Sequence, residues 1–138
     1  MSTDESLIPA EEKPWVPLAD GIDFRLLFTS LETGRWTVLL RCQPGSSFGR
    51  HKHYGAGEYF VVKGRMEYRM GVALAGTWGY EPLGTIHECT SFPEYTELLF
   101  TNHGPVMFIE EDGTIQSTLD GELLRGLIAD NAVTGPAG

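Results

Sequence analysis

Residues 51–64, HKHYGAGEYFVVKG, constrain this chain more than any other stretch. Two histidines stand one residue apart, a glutamate follows a short glycine-containing link, and an apolar run closes on Gly64. Strand side chains alternate faces, so His51 and His53 project to the same side. Tyr54, Gly55, Ala56 and Gly57 turn the chain, and Glu58 on the next strand is expected to return towards the two rings. Two imidazoles and a carboxylate meeting at one point suit Fe, Mn, Ni, Cu or Zn. A second block, GTWGYEPLGTIH from Gly76 to His87, brings a third histidine behind a Pro-x-Gly turn. The expected metal ligands are therefore His51, His53, Glu58 and His87. Taken singly, each has a plainer reading, as a solvated histidine on a strand face or a surface carboxylate. The combination, with both glycine turns and the proline, favours the metal.

The rest of the chain says what kind of fold carries these blocks. A length of 138 residues is most simply one domain, able to bury roughly two thirds of its unfolded surface. Glycine and proline are plentiful, and Val, Thr, Tyr, Phe and Trp come in short bursts between turn residues. That texture points to an all-β sandwich or barrel. A formal net charge of −9 argues against nucleic acid or an anionic membrane as partner. The polar, acidic start, MSTDESLIPAEEK, does not read as a signal peptide, and no apolar run approaches the ~20 residues of a membrane span. Cytoplasmic location is the expectation, with Cys42 and Cys89 as free thiols, both small buried hydrophobes.

In chain order, residues 1–20 read as an N-terminal arm, 21–116 as a β-barrel, 117–130 as a C-terminal helix and 131–138 as a tail. In RWTVLLRC, Trp36, Val38, Leu40 and Cys42 form the better inner face. Leu119, Leu123, Leu124, Leu127 and Ile128 fall at helical spacing behind a Ser/Thr/Asp cap. Gly121 and Gly126 weaken that helix by about 1 kcal/mol each.

At these blocks the chain resembles the cupin superfamily. Its first motif is carried by His51, His53, Glu58 and Gly64, and its second by Gly76, Pro82, Gly84 and His87. Ser91 stands where the family often has asparagine. The interval from Glu58 to Gly64 is one residue shorter than commonly seen. This shorter form is similar to the group holding acetylacetone-cleaving and dihydroxyacetophenone-cleaving dioxygenases and the cupin-like domain of zinc-binding anti-sigma factors. The resemblance covers about residues 22–112. It implies an all-β double-stranded β-helix, or jelly roll, with a short C-terminal helix and one divalent metal per chain. In the diketone-cleaving members three histidines hold iron without the motif glutamate. Glu58 therefore implies a 3-His-1-Glu set here, or a base such as flavonol-cleaving cupins use.

The first functional reading is an Fe(II)-dependent dioxygenase, taking O₂ and cleaving a C–C bond of a dicarbonyl or hydroxyketone compound, though Zn, Mn, Ni and Cu suit the same ligands. Glu58, Tyr68 and Glu81 are the candidate catalytic side chains, with Arg69 as a candidate substrate anchor. Phe60, Val62, Met66, Leu98, Phe100 and Phe108 are the expected apolar walls. His103, in a turn, reads as structural or solvated. A non-catalytic zinc-binding ligand or redox sensor is the second reading, and a metal-dependent isomerase or lyase the third, with Glu58 or Tyr68 moving a proton. A homodimer or homotetramer is expected, with the Trp15-Val16 segment a candidate for exchange between subunits.

Overall fold

The computed structural model describes residues 5–134. A turn of 3-10 helix at Ala10–Glu12 leads into β1 (Val16–Ala19), β2 (Ile22–Thr29) and β3 (Trp36–Cys42). Short strands β4 (Ser46–Phe48) and β5 (His51–His53) precede β6 (Gly57–Lys63), β7 (Arg65–Tyr68) and β8 (Gly71–Leu74). Then come β9 (Trp78–Glu81), β10 (Ile86–His87), β11 (Thr90–Phe92), β12 (Thr96–Asn102), β13 (Val106–Ile109) and β14 (Ile115–Leu119). Helix α1 (Gly121–Thr134) ends the described chain.

Three antiparallel sheets enclose the core: β1-β2-β3-β12-β6-β9, β10-β5-β13-β14 and β4-β11-β7-β8. Sequence alternation creates the core directly. Trp36, Val38, Leu40 and Cys42 are all buried on β3 while the residues between them are half-exposed. Phe24, Val61, Leu98 and Phe92 are fully enclosed beside them. Each such side chain contributes about 1.5–3 kcal/mol by leaving water. Gly64 ends β6 at φ +92°, and a Cβ there would lie 2.2 Å from the Tyr95 carbonyl oxygen. Only glycine satisfies both conditions at the close of the first block.

Two expectations need correction here. The residues expected to open the helix belong to β14, since Ser117 and Thr118 pair with Phe108 and Met107. Asp120 is the cap, its Oδ1 accepting from the Leu123 N–H at 2.9 Å, and the helix runs on to Thr134. Leu124 then seals the end of the core. Within the chain, Val16 pairs with Phe24, and the Arg25 and Arg41 guanidiniums stack 4.2 and 4.5 Å from the Trp15 ring. Of the two thiols, Cys42 is buried but Cys89 is exposed, because β10 ends at His87 and β11 begins only at Thr90. Among the described residues, no helix is long and apolar enough to cross a membrane. The final expected tail residues, 135–138, lie outside the described chain, as do residues 1–4.

Candidate metal centre

The two sequence blocks meet across β5 and β10, where His51 faces His87 in register. Backbone bonds lock the approach. The His53 N–H donates to the Thr85 carbonyl at 2.9 Å, and the Gly84 N–H in the Pro-Leu-Gly turn donates to the His53 carbonyl at 2.7 Å. The three imidazoles are packed edge to face, with ring centroids 5.1–5.3 Å apart. All three are buried. Glu81, at the end of β9, completes the group: His51, His53, Glu81 and His87 each offer a ligand atom, all within 4.8 Å of one another.

Burial sets the protonation. It pushes the His51 imidazole down to about 4, against the opposing hydrogen bond to Gly49. Burial likewise lowers His87, opposed by Glu81. Neutral imidazoles are what a metal needs. The Gly49 carbonyl can only accept, so the 2.7 Å contact from His51 Nδ1 makes that nitrogen the N–H donor. His51 Nε2 is left as the lone-pair nitrogen.

Whether the donor set fits a cation can be tested on its unmet hydrogen bonds. Both ring nitrogens of His53 and Oε2 of Glu81 are buried without a hydrogen-bond partner. Glu81 Oε2 lies against His53 Nε2 and 3.4 Å from His87 Nδ1. Buried polar atoms left unpaired cost about 1–3 kcal/mol each, and a shared cation would meet Glu81 and one ring nitrogen of His53. Three imidazoles and one carboxylate suit a divalent first-row ion.

The carboxylate of this group is a correction to the sequence-based expectation. Glu58 does not join it. On β6 the inward positions are Gly57, Tyr59 and Val61, and Glu58 lies on the opposite face. There it pairs across the ladder with Thr101 and with the exposed Tyr80. Glu81, expected as a catalytic side chain and not as a ligand, stands inside it. The signal was present in the interval to Gly64. Counting back the more usual spacing from that glycine lands on Gly57, which has no side chain to offer.

Other expected residues divide in the same way. Tyr68 holds its ring tilted, 5.1 Å from that of His87, and its hydroxyl is 2.7 Å from that of Tyr59. Burial first, and that hydrogen bond second, push the Tyr59 phenol above its ordinary range. Met66, Leu98, Phe100 and Phe108 line a cavity of about 50 Å³ beside His51, His53 and Glu81. Phe60 and Val62 do not line it: they are exposed on the outer face of the large sheet. Arg69 and His103 are exposed. Among the lining residues that were overlooked is a polar one, Asn102, which at the end of β12 is fully buried in the cavity wall. Its parity with Thr96, Leu98 and Phe100 was the available signal.

Comparison with known proteins places this geometry. The acetylacetone-cleaving enzyme of Acinetobacter johnsonii is 36% identical over 128 residues, covering 85% of this chain and 84% of that protein. The crystal structure of an acetylacetone dioxygenase from the same organism superposes with a TM-score of 0.85 at 33% identity, covering 94% of both chains. The anti-sigma ChrR in its complex with Rhodobacter sphaeroides SigE shares the fold, with a TM-score of 0.60 at 20% identity. Here 68% of this chain matches 51% of that one. The likeness establishes the jelly-roll cupin fold. Because the model of the ChrR cupin-like domain matches residues 3–107, well over half the chain, the protein belongs to the ChrR cupin-like domain family.

Proposed function

We propose that the protein is a mononuclear non-haem dioxygenase, with Fe(II) as its metal, cleaving a C–C bond of a small dicarbonyl or hydroxyketone compound. The observation that carries this reading is the buried His51–His53–Glu81–His87 group opening onto an apolar cavity. The 36% identity to an acetylacetone-cleaving enzyme supports it. When bound by these residues, iron supplies Lewis acidity and one-electron chemistry towards O₂.

The chain's own residues do the rest. The Glu81 carboxylate stands beside two of the histidines, and its oxygen not taken by the metal would accept the proton a dicarbonyl loses on enolisation. The Tyr68 hydroxyl, held by Tyr59, stands at the His87 edge of the site as a proton donor. Phe48, Met66, Phe100 and Phe108 keep water from reactive species. The cavity is about 50 Å³, whereas an apolar cavity of roughly 150 Å³ takes a benzene ring. A small acyclic substrate therefore suits it better than a flavonol.

The outer face of the large sheet supports a homo-oligomer. Leu39, Leu99, Phe60 and Trp78 form one cross-strand row, and Val62 and Tyr80 extend it. Together these expose on the order of 500 Å² of apolar surface, most of the core of a standard interface at about 800 Å² per partner. The same face carries Asp23, Glu58 and Glu97 against Arg25, Arg41 and Lys63. It is electrically balanced in a chain of net charge −9, so a second copy meets no net repulsion there.

Oxygen uptake by the anaerobically iron-loaded protein, run against 1,3-diketones and α-hydroxyketones, tests the reaction. Uptake that requires iron, substrate, His51 and His53 is expected. Full iron occupancy with no uptake on any of these compounds would overturn the dioxygenase reading.

A further inference from the structure

Four residues stand in one row across the inner face of the large sheet: Trp36, Asn102, Gly57 and Glu81, each in register with the next. Neighbouring strands are about 4.8 Å apart, so Asn102 and Glu81 bracket Gly57 at about 10 Å. Because Gly57 has no side chain, the space above it is open to the Asn102 amide and the Phe100 ring. A Cβ placed there would sit 2.8 Å from Asn102 Oδ1 and 3.4 Å from the Phe100 ring. Asn102 thus reaches over the bare backbone towards the metal group.

The Asn102 amide has nothing to bond. It is fully buried, and neither Oδ1 nor Nδ2 has a hydrogen-bond partner. The polar side chain next to it in the row, Trp36, already donates its Nε1–H to the Gly104 carbonyl at 3.0 Å. The other lining residues near it, Phe100, Leu98 and Val106, are apolar. A buried amide with an unmet acceptor and unmet donors is costly to the fold, and its chemistry defines what satisfies it. A ligand carbonyl answers only the N–H donors. A hydroxyl both gives and accepts, and so answers both halves of the amide.

We infer that Asn102 is a specificity-determining contact of this pocket, binding a hydroxyl group that the substrate carries beyond the oxygen pair directed at the metal. The inference rests on the substrate pocket proposed above and narrows it to hydroxyl-bearing compounds. Gly57 is the second element of the subsite, since its bare backbone leaves room for the Asn102 amide to reach over it.

The test is a binding measurement on zinc-loaded protein, in which no turnover is needed. Two probes, 2,4-pentanedione and 1-hydroxy-2,4-pentanedione, are titrated calorimetrically into the unsubstituted protein, Asn102→Leu and Gly57→Ala. The unsubstituted protein is expected to bind the hydroxylated probe about tenfold more tightly, the worth of one buried hydrogen-bonded group. Asn102→Leu, of similar shape, should bring the two probes within about twofold of each other while retaining the diketone. Gly57→Ala should weaken both. If Asn102→Leu does not give a cooperative melting curve, Asn102→Ser takes its place, with the same loss of preference expected. Equal affinities in the unsubstituted protein, as for an asparagine that merely holds water, overturn the inference and leave the dioxygenase reading standing. A preference that survives in the Asn102 variant does the same. No binding of either probe overturns the substrate pocket itself, and the Asn102 inference with it.

Discussion

The two faces of the β6–β9 ribbon hold two carboxylates one register step apart, with opposite fates. Gly57 pairs with Glu81, and Glu58 pairs with Tyr80. On the inner face, Glu81 is buried among three histidines without a hydrogen-bond partner for Oε2. On the outer face, Glu58 sits between Thr101 and Tyr80 beside Phe60 and Trp78. The same side-chain chemistry is a metal-site carboxylate on one face and a half-exposed acid on the other. Position across a sheet, not residue type, decides the role, because a shift of one residue moves a side chain to the other face.

The strongest way to break this contrast is to remove a ligand. His87→Ala should lower metal affinity by more than about 100-fold and abolish activity while the jelly roll remains folded. Metal analysis of the purified variant, with circular dichroism beside it, reads both. Stoichiometric metal retained in a folded His87→Ala would exclude His87 from the site.

Next comes the direct comparison of the carboxylates. Glu81→Gln should weaken metal binding or turnover by about 10- to 100-fold, and Glu58→Gln should leave both within about twofold. A larger loss at Glu58 in a metal titration would reverse the assignment of the two faces.

The contrast extends to stability one turn of the pleat further on. Val61 is fully buried and its neighbour Val62 is 52% exposed. In the dissociated chain, Val61→Ala should cost about 1–3 kcal/mol and Val62→Ala within about 0.5 kcal/mol, as judged by urea denaturation at a protein concentration low enough to keep it monomeric. Similar midpoints for the two variants under those conditions would contradict the inner and outer placement of the two valines.

The smallest effect is chemical. Burial pushes the Cys42 thiol up to about 12, so it stays protonated and inert at pH 8, while Cys89 is exposed. A thiol reagent should label one cysteine in the native protein and two after denaturation. Native labelling of both would show that β3 opens readily.

Much of this architecture could be read from local pattern. Alternation in RWTVLLRC marks the buried set on β3, since every second side chain must face the core. His51 and His53 share a face by the same parity, and the Pro-x-Gly turn brings His87 opposite them. The fourth member of the group was not legible in the same way. Whether residue 57 or 58 faces inward depends on how many residues the Tyr54–Ala56 turn uses before pairing resumes. That number is set by the partner strands β9 and β12. The helix start shows the same limit: Ser117 and Thr118 have the local chemistry of caps, but β13 offers them ladder bonds, and Asp120 caps the helix in their place.

From its residues alone this chain is committed to an all-β sandwich or barrel with three histidines in two turn-bounded blocks, because turn residues and two-residue periodicity act locally; the jelly roll came with the cupin resemblance. Which carboxylate joins those histidines, why Phe60 and Val62 face outwards, and how Asn102 comes to stand across Gly57 from the metal group are settled by strand register. Register depends on pairing between segments far apart in the chain, so β12 and β6 had to meet before Asn102 could acquire its place.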